Sequence, residues 1–262
     1  MAEIVVTTSV RVTGECLARA REAGEFLGAR VVARDRRGLA KLCEQERAEG
    51  VLVIGSTDVY HEPANGLEFF FHPNLAKMRI GNMKGGKPDH LVSAMGLREG
   101  DHVLDCTLGF AAEAIVCAWV VGESGRVVGL EKSPIIAFLA IQGLRRMETV
   151  SKAFTALMRR IEAIHADHME YLLQCADKSF DLVYFDPIFD EPLRKSQSMA
   201  PLRAVAEREP LSEDAVREAV RVAKRRVVVK QRRNTELWTR IPVTRIAAGP
   251  GSRVEYGVIE AG

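Results

Sequence analysis

Residues 101–121, DHVLDCTLGFAAEAIVCAWVV, decide the fold of this chain. Residues 102–105 read as a short buried strand, and residues 106–110 read as a tight turn that contains Gly109. Residues 111–121 then predict an apolar helix that packs on the sheet. A strand, a glycine turn and a helix in this order indicate an α/β fold that binds a nucleotide-like ligand.

The turn differs from a dinucleotide-binding turn. Such a turn reads G-x-G-x-x-G and holds a pyrophosphate at a helix N-terminus. Here Gly109 is the one glycine, and the acidic Asp105 precedes it. A carboxylate repels a pyrophosphate but attracts a cation. Asp105 could therefore attract the sulfonium or amino group of S-adenosylmethionine, and Gly109 would let the backbone approach that ligand closely.

Two more acids follow predicted strands. Residues 126–130 read as a strand that ends in Glu131, the position at which α/β nucleotide sites bind ribose hydroxyls. Residues 161–166 read as the next strand, which ends at Asp167, where a carboxylate could accept the adenine amino group. Acids at successive strand ends favour a nucleotide-type crevice over unrelated loop residues.

A fourth acid begins the stretch Asp186-Pro187-Ile188-Phe189, which follows an apolar strand at residues 181–185. The Asp186 carboxylate and a carbonyl near Pro187 can accept the N–H groups of an exocyclic amine, and Phe189 can stack on the attached ring. Asp-Pro is also an ordinary turn dipeptide. Its position after the glycine turn favours the catalytic interpretation.

These motifs resemble those of class I S-adenosylmethionine-dependent methyltransferases. More narrowly, the chain resembles the bacterial small-subunit ribosomal RNA guanine-N2 methyltransferases over roughly residues 83–233, in Gly85-Gly86-Lys87-Pro88, the Asp-x-Thr-x-Gly turn, Asp-Pro-x-Phe and Val227-Val228-Val229-Lys230. The resemblance implies an α/β fold with a doubly wound, mostly parallel, seven-stranded Rossmann-like sheet and an antiparallel edge strand.

The resemblance also implies a cofactor, S-adenosylmethionine, and a set of site residues. The expected catalytic residues are Asp186, Pro187 and Phe189. The expected cofactor contacts are Asp105, Thr107, Gly109, Glu113, Glu131, Lys132, Asp167, His168 and Asp186. The implied reaction methylates an exocyclic amine of a nucleic-acid base, guanine N2 of small-subunit rRNA, with rRNA or a ribosomal subunit as partner. An adenine-amine DNA or RNA methyltransferase, a small-molecule or protein methyltransferase, and a non-catalytic S-adenosylmethionine- or RNA-binding module remain alternatives.

Length and patterning predict two domains. The chain has 262 residues, of which 47% are hydrophobic and 27% charged, as in ordinary globular proteins. Residues 1–80 predict a small α/β domain that ends in a hairpin with an Asn65-Gly66 turn. Glycine-rich residues 81–88 read as a linker, and residues 81–262 as the methyltransferase domain. Residues 241–246 and 254–259 predict an antiparallel pair at the sheet edge.

Basic residues are unevenly distributed although the net charge is only +2. Residues 221–233 contain many Lys and Arg side chains and no acid, and a second group precedes the glycine turn. The predicted RNA contacts are Lys84, Lys87, Lys230, Arg232 and Arg233. For residues 224–226 the alternative is a solvated helix end, where basic residues are also common.

Several classes of protein are not indicated. No apolar run is long enough to span a bilayer, and the first residues lack the basic start of a signal peptide. The five cysteines are widely spaced, which predicts reduced thiols in a cytoplasmic protein. His165 and His168 flank Asp167 without a further ligand cluster, so we expect no metal site. The sequence does not predict the oligomeric state.

Overall fold

The structure is a computed structural model that describes residues 3–64, 68–187, 210–249 and 251–262. These residues form two compact units. Unit 1 comprises the described residues within 1–72 and 133–148, and unit 2 those within 73–132, 149–193 and 208–262.

Unit 1 is a small α/β unit. Its elements are β1 (Ile4–Thr8), α1 (Gly14–Leu27), β2 (Arg30–Val31), α2 (Leu39–Glu46), β3 (Gly50–Ile54), β4 (Val59–Pro63) and β5 (Phe69–Phe70), together with the later helix Pro134–Arg146. The sheet has the strand order β2-β1-β3-β4-β5. Strands β1, β2 and β3 are parallel, and β4 is antiparallel to both β3 and β5. The predicted hairpin is therefore confirmed as a strand pair, although its Asn65-Gly66 turn lies outside the described residues.

Local signals account for the first helix. Thr13 caps α1 because its side chain accepts the Cys16 N–H, and Gly28 ends the helix in the left-handed conformation at φ 60°. Strand β3 is buried along its whole length, as its run of Val, Leu and Ile residues predicts.

Unit 2 contains the remaining elements. They are α3 (Asn74–Lys84), α4 (His90–Met95), β6 (His102–Asp105), α5 (Ala112–Val121), β7 (Arg126–Glu131), α7 (Lys152–Arg159), β8 (Ile161–His165), α8 (His168–Gln174), β9 (Phe180–Phe185), α9 (Glu213–Val222), β10 (Ala223–Arg232), α10 (Leu237–Arg240), β11 (Arg245–Ala247) and β12 (Val254–Glu260). Helix α6 is the Pro134–Arg146 helix of unit 1.

The strands of unit 2 form one seven-stranded sheet in the order β11-β12-β10-β9-β6-β7-β8. Five strands run parallel to one another: β8, β7, β6, β9 and β10. Strand β12 is antiparallel to β10, and the edge strand β11 is antiparallel to β12. This confirms the predicted α/β class and the mostly parallel sheet with an antiparallel pair at its edge.

The predicted linker at residues 81–88 was partly wrong, because Gly81 to Lys84 form the last turn of α3. A glycine inside a helix costs about 1 kcal/mol relative to alanine, but packing offsets that cost. Ala76 and Ile80 lie one helical turn apart, are buried, and belong to a helix that packs on α5. Gly85 ends the helix, so the connection to α4 is only a short loop.

Among the residues that the structure describes, no helix is both long enough and apolar enough to cross a membrane.

Candidate active site

Three acids meet at the carboxyl edge of the unit 2 sheet. Asp105 ends β6 and pairs in register with Gly129 of β7 and Tyr184 of β9. Glu131 and Asp186 each lie two residues beyond those partners, so the parallel strands deliver both acids to the edge beside Asp105. The order of the motifs along the sequence thus becomes a cluster in space.

Asp105 is a buried acid with one backbone hydrogen bond. Its side chain is almost inaccessible, and Oδ1 accepts the Thr107 N–H at 3.1 Å. Burial raises the pKa of Asp105 to about 8, and the negative charges of Glu113, Asp186 and Glu131 act in the same direction. Asp105 is therefore mostly protonated at neutral pH unless a cation is bound beside it.

The glycine turn is held against the neighbouring strand end. The Gly109 N–H donates to Glu131 Oε2 at 3.0 Å, and the Leu108 N–H donates to the Leu130 carbonyl at 2.8 Å. Gly109 has φ +52°, and a Cβ built there would meet open space. A side chain would occupy that space, so this glycine leaves room for a ligand at the turn. Ala111 is also left-handed, at φ 60°, which is strain of the kind found at functional sites.

Asp167 serves as the N-cap of α8 rather than ending β8 directly. Its Oδ1 accepts the N–H groups of Met169 and Glu170 at 2.8 and 3.1 Å, and Oδ2 lies 3.1 Å from Lys132 Nζ. Burial works against ionisation, but the Glu170 N–H and the Lys132 ammonium outweigh it, so the pKa of Asp167 lies below its ordinary value. The structure thus brings together Lys132 and Asp167, two of the predicted cofactor contacts.

His168 stands next to Asp167, and its ring lies edge-on to the Phe185 ring with centroids 5.5 Å apart. The described part of the chain contains no group of three His, Cys, Asp or Glu side chains that could hold a metal ion.

Asp186 follows β9 and is tied to the glycine turn. Its N–H donates to Thr107 Oγ1 at 2.6 Å, and Lys230 Nζ donates to Oδ2 at 2.5 Å. Burial raises the pKa of Asp186 to about 6, although the Lys230 ammonium opposes the increase. At neutral pH the side chain is therefore a carboxylate. Pro187 is described and partly buried, whereas Phe189 lies outside the described residues.

A chain of largely buried ion pairs runs through unit 2 from Asp186 to Asp89. Lys230 Nζ also lies 3.5 Å from Glu113 Oε1, and Arg79 Nη1 lies 3.0 Å from the same oxygen. Arg79 binds both oxygens of Asp89 at 2.8 Å, and Asp89 caps α4. The charges alternate in sign along the chain, from Asp186 to Asp89. The chain links three helices to the site.

The ion pairs bear on the predicted roles of Glu113 and Lys230. Burial alone would raise the pKa of Glu113, but the Lys230 and Arg79 charges hold it below its ordinary value. Burial would lower the pKa of Lys230, but Asp186 and Glu113 raise it instead. Both side chains are thus committed to ion pairs inside the site. These ion pairs favour a positioning role for both side chains, and the contacts of Glu113 with the cofactor and of Lys230 with phosphate stay predictions.

The other basic residues fall into two groups. Residues 224–226 belong to β10, so the helix-end interpretation of them was wrong, and their side chains make ion pairs: Lys224 with Asp181, Arg225 with Asp101 and Arg226 with Glu260. Lys84 and Lys87 are exposed at and just after the end of α3. Within the described residues neither side chain is hydrogen-bonded to Asp105, Glu131 or Asp186.

An arginine-lined groove opens beside Pro187. It has a volume of 790 Å³, and Pro187, Gln231 and the side chains that follow β10 line it. Its basic residues are Arg232, Arg233, Arg240 and Arg253. Arg233 and Arg253 are exposed and have no carboxylate within ion-pair distance among the residues described. The groove therefore places positive charge next to the Asp-Pro motif.

Comparison with known proteins decides the family. The family model described as "Putative SAM-dependent methyltransferase" matches residues 57–249, which is most of the chain. The chain belongs to the S-adenosylmethionine-dependent methyltransferase family. Its cofactor is accordingly S-adenosylmethionine.

Two curated proteins and one solved structure are similar to this methyltransferase. It is 38% identical over 226 residues to "Uncharacterized protein YpiP" of Bacillus subtilis, covering 86% of this chain and 88% of that protein. It is 29% identical over 182 residues to ribosomal RNA small subunit methyltransferase J of Hydrogenovibrio crunogenus, covering 68% of this chain and 64% of that enzyme. The crystal structure of the SAM-dependent methyltransferase NGO1261 from Neisseria gonorrhoeae has the same fold, with a TM-score of 0.66, 18% identity and coverage of 98% and 95%.

The residues at the sheet edge have the chemistry that this methyltransferase cofactor requires. S-adenosylmethionine carries a sulfonium, an amino group and ribose hydroxyls. Asp105 is a buried acid whose ionised form a cation would stabilise, and Glu131 lies at the end of the second strand, where a carboxylate can accept hydroxyl hydrogen bonds. Gly109 donates its N–H to Glu131 and has open space where a side chain would lie.

Sequence reasoning missed two members of this methyltransferase site. Asp89 carries a recognisable signal, because an acid directly before an apolar run is an N-cap pattern. Arg79 is one of several basic residues before the glycine turn, and its position on α3 gives no local sign of its three hydrogen bonds to Asp89 and Glu113.

Proposed function

We propose that this methyltransferase modifies an exocyclic amine of a nucleic-acid base, namely guanine N2 of small-subunit rRNA. The observation that carries the proposal is the position of Asp186, which directly follows β9, donates its N–H to Thr107 of the glycine turn and precedes Pro187 of the arginine-lined groove. All of these residues belong to unit 2, to which we assign catalysis.

Asp186 suits an amine substrate because its carboxylate only accepts hydrogen bonds. The lone pair of a base amine is delocalised into the ring, so the amine is a weak nucleophile. A carboxylate that accepts one of its N–H groups orients the nitrogen and favours its pyramidal form. We assign the second N–H to a backbone carbonyl near Pro187, and Phe189 remains our predicted stacking partner for the base.

The reaction is a direct displacement. Bound S-adenosylmethionine supplies a methyl group on a positively charged sulfur. The nitrogen–carbon bond forms, the carbon–sulfur bond breaks with its electron pair remaining on sulfur, and the amine loses a proton. Asp186 can hold that proton, since its pKa of about 6 is close to neutral.

Lys230 and its ion-pair chain would keep Asp186 in the reactive state. The ammonium lies 2.5 Å from Oδ2 and favours the ionised carboxylate, while Glu113 and Arg79 fix the position of Lys230. Lys230 is therefore a positioning residue in this proposal, because it acts through Asp186 rather than on the substrate.

Two observations support RNA as the substrate. The groove beside Pro187 carries Arg232, Arg233, Arg240 and Arg253, and Arg233 and Arg253 are exposed. Arginine binds phosphate oxygens in a bidentate manner. In addition, relatives at 29% and 32% identity are named ribosomal RNA small subunit methyltransferase J, although the matched regions cover only 64% and 58% of those enzymes.

A substrate panel tests the proposal. The purified protein is given labelled methyl donor and, separately, hypomethylated small subunits, free small-subunit rRNA, large subunits, DNA and a protein extract freed of nucleic acid. We expect incorporation into small subunits or their rRNA. Incorporation confined to DNA, to protein or to small molecules would replace the RNA proposal with the corresponding alternative, and donor binding without transfer to any acceptor would favour a binding module.

A further inference from the structure

Another cavity is lined by residues of unit 1. It has a volume of 460 Å³ and is bounded by α1, by the loop before β4, by residues around β5, and by α6. Its deep wall contains Arg19, Phe71, Leu139 and Gln142, all of them buried. Small-molecule sites in proteins have this range of volumes and this mixture of apolar wall and few polar groups.

Arg19 is a buried cation without a counter-ion. The residue is only 6% exposed, and its Nη1 donates to the carbonyls of Gly55 and Ser56 at 2.9 and 3.0 Å. Its Nε has no acceptor, and among the described residues no carboxylate lies within ion-pair distance of the guanidinium. A buried charge is costly unless it is paired, so an unpaired guanidinium in a cavity wall indicates a site for an anion.

Gln142 provides a second buried polar group without a partner. The residue is 6% exposed, and its Oε1 has no donor in the part of the chain described. It lies on α6 and lines the same cavity as Arg19, which lies on α1. A ligand that satisfies both groups needs an acidic function for Arg19 and an N–H or O–H donor for Gln142 Oε1.

The remaining walls restrict the ligand further. Tyr60, Phe70 and Phe71 line the cavity and suit a flat ring. Asp58 and Glu68 also line it, and both are exposed. The exposed Arg146 lines the cavity as well, so two arginines face two carboxylates, and this balance of charge disfavours a polyanion such as an RNA strand or a nucleoside triphosphate.

We propose that this unit 1 cavity binds a free nucleoside monophosphate. The phosphate would pair with Arg19, an amino or imino N–H of the base would donate to Gln142 Oε1, and the ring would pack against the aromatic side chains. This site is independent of the proposed methyl transfer, because its residues all belong to unit 1.

Calorimetric titration of the 262-residue protein tests the site. AMP, GMP, CMP and UMP are titrated with S-adenosylhomocysteine present at saturation, so that the methyl-donor site is filled. We expect at least one nucleotide to bind with a dissociation constant below about 1 mM. Arg19→Met should weaken that binding about tenfold or more, because a charge-assisted phosphate contact is lost.

Two matched variants complete the test. Gln142→Leu preserves the side-chain shape and should weaken the nucleotide but not inorganic phosphate, and it also serves if Arg19→Met fails to fold. Arg21→Met removes an exposed arginine from the same helix and should change nothing. The proposal is wrong if none of the four nucleotides binds with a dissociation constant below about 1 mM, or if a nucleotide binds to Arg19→Met and to Gln142→Leu as tightly as to the wild type.

Discussion

Replacing Lys230 with Met removes the ammonium that lies 2.5 Å from Asp186 Oδ2. Both side chains are largely buried, with 18% and 23% of their surface exposed, so solvent screens the pair only weakly. The variant leaves Asp186 near Glu113 without the cation between them. We therefore expect the pKa of Asp186 to rise above its wild-type value of about 6.

The size of the shift follows from the geometry. An opposite charge at contact distance moves a carboxyl pKa by roughly one to three units, so the pKa of Asp186 should reach roughly 7 to 9 in the variant. At pH 7 the ionised fraction should fall from about nine-tenths to between about one-half and about one-hundredth. If the carboxylate is the reactive form, the rate at pH 7 should fall about twofold to 100-fold and recover at higher pH.

Single-turnover methyl transfer to hypomethylated small subunits, measured from pH 5.5 to 9.5, gives the acid limb of the pH profile directly. Lys230→Arg keeps the charge and should restore much of the wild-type profile. Lys224→Met removes a half-exposed lysine from the same strand, where it pairs with Asp181, and should leave the profile unchanged. An acid limb that stays near pH 6 in folded Lys230→Met would refute the proposed role of the ion pair.

Three further predictions concern the cofactor, the stability and the groove. Glu131→Ala should weaken the binding of S-adenosylmethionine by roughly 1–3 kcal/mol in calorimetry, because buried hydroxyls lose their acceptor. Glu162→Ala, which changes an exposed acid on β8, should leave the affinity unchanged. Equal affinities of the wild type and Glu131→Ala would move the site away from Glu131. The cofactor-free protein should lose stability in denaturant melts as the pH rises towards 8. Asp105, whose pKa is raised to about 8, binds a proton in the folded state that it releases on unfolding. Asp105→Asn should flatten this pH dependence of stability, and an identical slope in both proteins would contradict the prediction. In a plot of log RNA affinity against log salt concentration, Arg233→Ala and Arg253→Ala should each lower the slope by somewhat under 1. Arg217→Ala on α9 should leave this slope unchanged. A slope that none of the three variants changes would place the RNA elsewhere.

The sequence was sufficient for the sheet around the site because its signals there are local. Strands β6 and β9 contain short apolar runs at residues 103–104 and 182–185, and Gly109 and the strand-end acids mark the turns. The parallel arrangement then places Asp105, Glu131 and Asp186 at one edge without further information. Such features depend on neighbours in the sequence, which a single chain displays directly.

The ion-pair chain could not be predicted in the same way. Lys230 and Glu113 are 117 positions apart, and Arg79 and Glu113 are 34 apart, so nothing local relates them. A lysine at a strand end looks the same in the sequence whether it faces phosphate or a buried carboxylate. Tertiary packing decides between these, and it likewise keeps Gly81 in a helix against its intrinsic preference.

The central claim is that Asp186 promotes methylation of a base amine, and one measurement tests it most directly. Labelled methyl groups are transferred in a single turnover to hypomethylated small-subunit rRNA, at saturating donor, and the product is digested to nucleosides for mass spectrometry. Asp177→Asn, which changes an exposed acid in unit 2, is the matched control for Asp186→Asn. The wild type and the control should yield N2-methylguanosine, and Asp186→Asn should be slower by at least about 100-fold, or roughly 2.7 kcal/mol, with little change in cofactor affinity. A near-normal rate in Asp186→Asn, or label on a ring carbon or a ribose, would contradict the claim.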